Sequence, residues 1–320
     1  MALFKLGVIG TGIMGERMLR AALEHAGNIA TIAGVWDPSE AARGRIGAGL
    51  PNLAIARSAD ALIAASDCVY IASPPASHIA LASTVLAAGK AVFCEKPLAA
   101  DLAAAEAFVA AAKGQRAAVN FPMATSFSAE HMQTWLASGV IGTPQSLTIE
   151  VAFANWPRGW QQGAVGWLDG RAEGGFTREV VSHFLFLTGR LLGPITLGTH
   201  QADFPIADRS ERAVAATLSA GGIPLTLTGA VGTTAKDDHN LMTLTGTNGT
   251  IRIRDWAIAE QLVNGAWQPA ADAMPQDQAR PLGLTRQLAG VAAMVRREDH
   301  PLATLEEALA VQKIVEGILA

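Results

Sequence analysis

Two cysteines in 320 residues are too few for a disulfide framework. Cys68 and Cys94 both fall in apolar runs that read as buried strands, so they are expected as reduced thiols. The seven histidines are scattered without ligand spacing, which leaves no metal site to assign. Surplus charge is missing as well. With 24 Lys and Arg against 28 Asp and Glu, net -4, the chain offers no basic footprint to nucleic acid or to an anionic membrane. No run reaches the ~18 uninterrupted apolar residues of a membrane span. The first residues lack a charged segment leading into an apolar signal core, and the expectation is a cytoplasmic protein. Repeats and low-complexity linkers are likewise not evident.

What is present is length and apolar content: 320 residues at 50% hydrophobic allow two domains, each with its own core. The opening stretch is the most informative. An apolar run from Phe4 ends in Gly10-Thr11-Gly12-Ile13-Met14-Gly15 and leads directly into a helix-like segment. Gly10 permits a tight turn, Gly12 lets backbone approach a pyrophosphate, and Gly15 lets helix pack on strand. The helix N-terminus adds free N–H groups and a positive dipole end. A second apolar run from Ala30 ends in Asp37, 22 positions after Gly15, near the ~20-residue offset of a ribose-binding carboxylate. Residues 10–15 with Asp37 therefore read as a dinucleotide seat. A carboxylate there accepts from a ribose 2'-OH and repels a 2'-phosphate, which favours NAD over NADP; Arg43 could soften this repulsion in principle, but it lies on the following helix.

Up to about Phe121 strands near 4–10, 30–37, 53–56, 68–73, 91–94 and 116–120 alternate with Ala-rich helical segments, the pattern of a doubly wound parallel sheet. Residues 1–121 form the first predicted domain and 122–320 the second. Beyond a helix near 127–138 the second shows strands around 145–154, 195–203, 213–219, 223–231, 241–247 and 250–258. Asn248-Gly249 and Asn264-Gly265 mark hairpins. Helices return at about 283–297 and 304–319, the last with Thr304 and Glu307 as a capping box. The class is α/β, with an N-terminal parallel sheet and a C-terminal α+β domain whose open sheet is largely antiparallel.

Strand ends bear further chemistry: Ser73-Pro74-Pro75-Ala76-Ser77-His78 after one, and Cys94-Glu95-Lys96-Pro97 after the next. Together with the glycine motif, Ala88-Gly89-Lys90, Ile141-Gly142-Thr143-Pro144 and Gly246-Thr247-Asn248-Gly249-Thr250, this ordered set resembles the Gfo/Idh/MocA oxidoreductases, named for glucose-fructose oxidoreductase and inositol dehydrogenase. The resemblance implies a Rossmann domain followed by an open-faced sheet domain. It also implies a nicotinamide cofactor, a small-molecule substrate, and a homodimer or homotetramer through the C-terminal sheet. Ser73, Pro74, His78, Glu95 and Lys96 are then cofactor-side residues. For His78, a cap or packing role is the rival reading. Lys96 is also a catalytic and substrate-side candidate, because an ammonium stabilises developing alkoxide charge.

In the second domain, Glu173-Gly174-Gly175-Phe176-Thr177-Arg178-Glu179-Val180-Val181-Ser182-His183-Phe184 reads as a helix entered through glycines, with Phe176, Val180, Phe184 and Leu187 as its buried stripe. Glu179 and His183 stand at i, i+4, and a carboxylate beside an imidazole makes a proton-transfer group. By resemblance His183 matches the family's catalytic histidine, while Glu179 replaces an aspartate, Val181 a glycine and Phe186 a second aspartate. Arg178 and Asn120 are assigned to the substrate. Where relatives often carry Asn-Arg-Arg-Phe, this chain has Asn120-Phe121-Pro122-Met123, with no cation. The pocket is therefore expected to suit an acidic or phosphorylated substrate less well. Trp156, Trp160 and Trp167, with Arg158 and Arg171 nearby, read equally as an aromatic wall or as loop or interface packing. Trp167 matches a substrate-side aromatic of relatives.

The resulting expectation is an NAD-dependent dehydrogenase or reductase of CH–OH groups in a sugar, cyclic polyol or related compound. In it Lys96 and His183 flank the nicotinamide C4 and Glu179 orients His183. Two alternatives stand beside it. One is an enzyme of a non-sugar carbonyl or dihydrodiol; the other is a non-catalytic NAD-dependent sensor or corepressor, which would typically lose the lysine or the histidine.

Overall fold

Short apolar runs separated by amphipathic segments place every strand between two layers of helix, and in the computed structural model, described here for residues 3–320, the N-terminal runs do so. The order is β1 (Phe4–Ile9), α1 (Ile13–His25), β2 (Ala30–Trp36), α2 (Glu40–Gly49), α3 (Ala59–Ala65), β3 (Cys68–Ile71), α4 (His78–Ala87), β4 (Ala91–Glu95), α5 (Leu102–Ala111) and β5 (Ala117–Asn120). The strands are arranged β2-β1-β3-β4-β5 and pair in parallel. The strand expected at 53–56 is reduced to a single bridge between Val35 and Ile55. Ile55 is 40% exposed, so this run has too little buried side to extend the sheet.

The second unit contains α6 (Phe127–Ala137), β6 (Pro144–Phe153), α7 (Val165–Leu168), a π-helical turn at Thr177–Val181 and α8 (Ser182–Leu192). There follow β7 (Ile195–Asp203), β8 (Ala213–Ala220), β9 (Ile223–Val231), β10 (His239–Gly246), β11 (Thr250–Arg254), β12 (Ile258–Val263) and β13 (Ala266–Pro269). The sheet order is β13-β12-β11-β10-β6-β9-β8-β7, antiparallel throughout except for the β6–β9 pair. The run expected as one strand at 250–258 is two, because Asp255 and Trp256 both take positive φ, 49° and 70°, and turn the chain.

One face of this sheet is apolar, with Leu147, Ile149, Leu227, Met242, Leu244 and Ile253 turned inward. The other, from Thr148, Glu150, Ala215, Thr217, Thr226 and Thr228, is exposed. Phe176, Val180, Phe184 and Leu187 are fully buried, as their helical spacing predicts. Phe176 lies against Gly229, where a Cβ would come within 2.6 Å of its ring.

The chain returns in α9 (Gln276–Val295) and α10 (Leu305–Leu319). Thr304 and Glu307 make the reciprocal capping pair, amide to carboxylate at 2.8 Å and amide to hydroxyl at 3.1 Å. The domain division expected at 121/122 is only half of what is seen. The first unit is the chain up to Pro122 together with Pro281–Leu309, and the second is Met123–Arg280 with Ala310–Ala320. The cause is apolar: Leu284, Leu288, Val291 and Leu302 join Leu6, Val8, Met18, Tyr70 and Phe93 in one core cluster. Among the described residues no helix is long and apolar enough to cross a membrane.

Candidate active site

Candidate residues from the sequence lie in both units. In the first, Gly10 takes φ 92° and a Cβ there would strike the Ala72 carbonyl at 2.6 Å; a Cβ on Gly15 would strike the Gly10 carbonyl oxygen at 2.0 Å. Gly12 is different, since a Cβ on it would meet no atom within 4 Å. Two glycines are thus needed for close packing, and the third leaves open space where a pyrophosphate can approach backbone. Side chains of Ser39, Ser58 and Asp101 cap α2, α3 and α5, whereas no side chain caps α1 at Gly12. The first-turn amides of Ile13, Met14 and Gly15 therefore have no side-chain cap, the arrangement that suits an anion. Asp37 is locked to the same loop: Oδ2 accepts from the Thr11 amide at 2.8 Å and from its hydroxyl at 3.2 Å, and Oδ1 accepts from the Ser39 amide at 2.9 Å. A carboxylate has about four lone-pair positions, so one remains for a ribose hydroxyl. Arg43 sits on the carbonyls of Asp37 and Pro38, and Arg45 on that of Thr11.

At the ends of β3 and β4, His78 is buried with Nδ1 2.8 Å from the Pro97 carbonyl and Nε2 2.7 Å from the Ser73 carbonyl. It thereby ties the Ser73-Pro74 loop to the Lys96-Pro97 loop, which is the packing reading of this histidine. Ser73 and Ser77 hydroxyls lie 2.6 Å apart. Lys96 is 8% exposed, so it is not a surface lysine. Beneath it runs a polar network. Tyr70 donates its hydroxyl to Glu95 Oε1, Asn120 donates to Glu95 Oε1 at 2.6 Å and to Tyr70 at 3.1 Å, and Gln287 of α9 donates to Asn120 at 2.5 Å. Burial, then the adjacent Glu95 charge, pushes the Tyr70 hydroxyl well above its ordinary value, so it stays a donor. Asn120 and Glu95 therefore serve one another inside the unit, which fixes the strand ends from which Lys96 projects. Cys68 and Cys94 are free and buried. Burial pushes both thiols up and keeps them unreactive.

In the second unit the segment bearing Glu179 begins as a π turn, a geometry that recurs at functional sites. Gly174 and Gly175 admit it. A Cβ on Gly175 (φ 102°) would lie 2.1 Å from the Glu211 carboxyl, and that carboxyl accepts from the Thr177 amide at 2.7 Å. Glu211 is fully buried, and among the described residues its Oε2 has no hydrogen bond. Burial pushes its carboxyl upward, against the pull of the Thr177 amide. A native carboxyl that holds its proton more tightly than the unfolded one contributes stability at low pH, and this is lost as pH rises from the ordinary 4.5 through the raised native value. Glu211→Gln, which keeps the acceptor for Thr177, should flatten that decline and raise the unfolding midpoint at pH 8 relative to wild type. Parallel pH curves for the two proteins in urea unfolding would remove Glu211 from this role.

Arg178, expected on the substrate side, forms a two-pronged pair with Glu316, 2.7 Å on each arm, and donates to the carbonyls of Arg171 and Gly174. Glu179 faces Arg158, 3.9 Å away, and Gln161 at 3.5 Å. His183, 6% exposed, meets the Trp256 ring edge-on at 5.4 Å. Trp256 in turn donates its indole N–H to Asp238 at 3.0 Å and stacks on Phe184. Asp238 pairs with Arg158 at 2.5 Å. Trp156 is loop packing, wedged between Phe153 and Phe176, while Trp160 carries Arg158 over its ring at 4.7 Å. Trp167, partly exposed, lies on α7.

The profile of the GFO_IDH_MocA oxidoreductase family, NAD-binding Rossmann fold, matches residues 4–121. These residues belong to the Gfo/Idh/MocA family. The match covers every strand of the first sheet and the Gly10, Asp37, Ser73 and Lys96 sites. The whole chain is similar in fold to an oxidoreductase from Agrobacterium radiobacter in complex with NAD+, L-tartaric acid and magnesium (TM-score 0.82, 19% identity, 98% of this chain and 95% of that one). It is similar also to an oxidoreductase from Thermotoga maritima (0.82, 16%, 99% and 96%). A third is the UDP-N-acetylglucosamine 3-dehydrogenase of Acidithiobacillus ferrooxidans (0.74, 20%, 100% of both). At these identities the likeness is one of fold. No curated protein matches the chain.

In Gfo/Idh/MocA terms, the residues that sequence reading passes over are Tyr70 and Gln287 around Asn120, and Asp238, Trp256 and Glu211 around the helix of His183. Phe186 is buried with the Arg190 guanidinium over its ring at 4.6 Å, so this side chain is core.

Proposed function

We propose that the chain transfers hydride between NAD and a hydroxyl or carbonyl carbon of a sugar, cyclic polyol or related small molecule. The observation that carries this reading is His183, buried edge-on against Trp256, in a chain whose NAD-binding domain retains a buried Lys96. A sensor without turnover needs neither. NAD, when bound along Gly10–Gly15 and Asp37, supplies the hydride acceptor. His183 is the group suited to taking the hydroxyl proton, and the Lys96 ammonium is suited to stabilising negative charge that develops on an oxygen. For reduction, His183 returns the proton to the oxygen. The sugar dehydrogenase of similar fold supports the substrate class. Phe186 in place of an aspartate supports the second reading, a non-sugar carbonyl or alcohol, because one polar contact to a sugar ring is gone. Absorbance of reduced cofactor with a panel of polyols and sugars tests the assignment. No turnover with any alcohol or carbonyl would favour the sensor.

The choice of NAD rests on Asp37. NAD should bind more tightly than NADP in a fluorescence titration, and Asp37→Ala should shrink that preference about tenfold or more, the scale of one charge-assisted contact. Tighter NADP binding by the wild-type chain would overturn the assignment.

A further inference from the structure

His78 opens α4, is 1% exposed, and meets an acceptor at each end of its ring: Nδ1 lies 2.8 Å from the Pro97 carbonyl oxygen and Nε2 2.7 Å from that of Ser73. A carbonyl oxygen can only accept. A neutral imidazole carries one N–H and one bare nitrogen, so either tautomer leaves a lone pair facing a carbonyl oxygen at hydrogen-bond distance, whereas the imidazolium donates from both nitrogens. Only the charged form satisfies both contacts. The carbonyls belong to the loops that leave β3 and β4, parallel neighbours in the sheet with Ile71 opposite Cys94. This is the edge where open α/β sheets bind ligand.

Two influences oppose a charge on this ring. One is the positive end of α4, of which His78 is the first residue; the other is the ammonium of Lys96, the residue before Pro97. A helix end counts for less than one hydrogen bond from a charged donor, and here there are two. The remaining titratable groups on β3, β4 and α5, which pack against α4, are few. Cys68, Tyr70 and Cys94 are held protonated by burial, Glu106 is exposed, and the Glu95 carboxyl, held by Tyr70 and Asn120, favours a cation.

We propose that His78 is held as an imidazolium bonded to both carbonyls, and is thereby a positioning residue that sets the spacing of Ser73 from Lys96 along the cofactor edge of the sheet. This rests on the reading that Ser73 and Lys96 line the NAD site. On losing a proton the ring gives up one carbonyl and frees one loop. The clamp is complete below the ordinary imidazole value of about 6.5, and it is lost as pH climbs through the higher native one.

The first test uses the wild-type full chain, labelled with nitrogen-15 at histidine and recorded by NMR without cofactor. At about pH 7.5, where an ordinary imidazole is largely neutral, one ring should still carry protons on both nitrogens, and its signals should vanish in His78→Gln. Through-space contacts to Pro97 assign the ring if that variant does not fold. A singly protonated His78 at this pH overturns the proposal. NAD binding, followed by fluorescence titration, reads the positioning. Glutamine mimics the neutral ring, with one donor and one acceptor, so His78→Gln should bind NAD about tenfold more weakly near pH 7, the lower end of the worth of a hydrogen bond to a charged group. As pH rises through the loss of the second ring proton, wild-type affinity should fall to that of the variant, which stays level. Equal affinities near pH 7, or parallel pH curves, would remove the positioning role and sink the proposal. Wild-type protein that binds no NAD would count against the cofactor reading instead, and the nitrogen spectrum would still decide the state of His78.

Discussion

Replacing His183 by alanine should lower turnover by about 10²- to 10⁴-fold, the usual worth of a positioned proton-transfer group, with NAD affinity held within a few fold. The ring is 6% exposed and set edge-on against Trp256, so its direction is fixed by packing before substrate arrives. Glu179→Gln should cost less, on the order of tenfold, because that carboxylate already shares its charge with Arg158 at 3.9 Å and faces Gln161. Groups acting as a unit are not additive, and the double variant should be little slower than His183→Ala alone. Strict additivity in steady-state turnover would separate the two residues and leave Glu179 to the Arg158 cluster.

Lys96→Met should lower turnover by roughly 10²-fold or more, in line with the loss of one donor to a developing alkoxide. Methionine keeps an unbranched side chain one atom shorter and removes only the charged end, so the loss reports the ammonium. Lys96 leaves the end of β4 directly after Glu95, whose carboxylate is held by Tyr70 and Asn120. That anchoring is untouched by the substitution, and NAD affinity should change only a few fold. Collapse of NAD binding with turnover per bound cofactor preserved would make Lys96 a cofactor anchor. Retained turnover would move the chemistry elsewhere.

What the sequence made legible was local. Gly10, Gly12, Gly15 and Asp37 act through backbone conformation and a fixed offset along the chain, and Thr304 with Glu307 needs only three residues to close its capping pair. The buried stripe of Phe176, Val180, Phe184 and Leu187 followed from helical period alone. The i, i+4 argument for Glu179 and His183 assumed an α-helix, whereas Thr177–Val181 is a π turn, a form set by Glu211 and two glycines rather than by local propensity. The partners of Arg158 and Asn120 were out of reach for a different reason. Asp238 lies 80 positions from the first and Gln287 lies 167 from the second, and no periodicity links residues so far apart. The turn at Asp255-Trp256 lacks a glycine; a tertiary bond holds it, the Trp256 amide on Asn240 at 2.8 Å, beside a local one from Arg254 to Asp255 at 2.9 Å.

The first unit's discontinuity bears on how the chain is made. Ribosomal synthesis delivers β1 to β5 first, but Leu284, Leu288, Val291 and Leu302, which complete their core, come more than 160 residues later. Each such side chain contributes about 1.5–3 kcal/mol when buried, and Gln287 donates to the Asn120 amide oxygen. A nascent chain released at Pro122 exposes that apolar face and leaves a polar group of the network bare. The nucleotide half therefore reaches its full stability only once Pro281–Leu309 has emerged, and folding that runs domain by domain for a continuous chain here waits on that later segment.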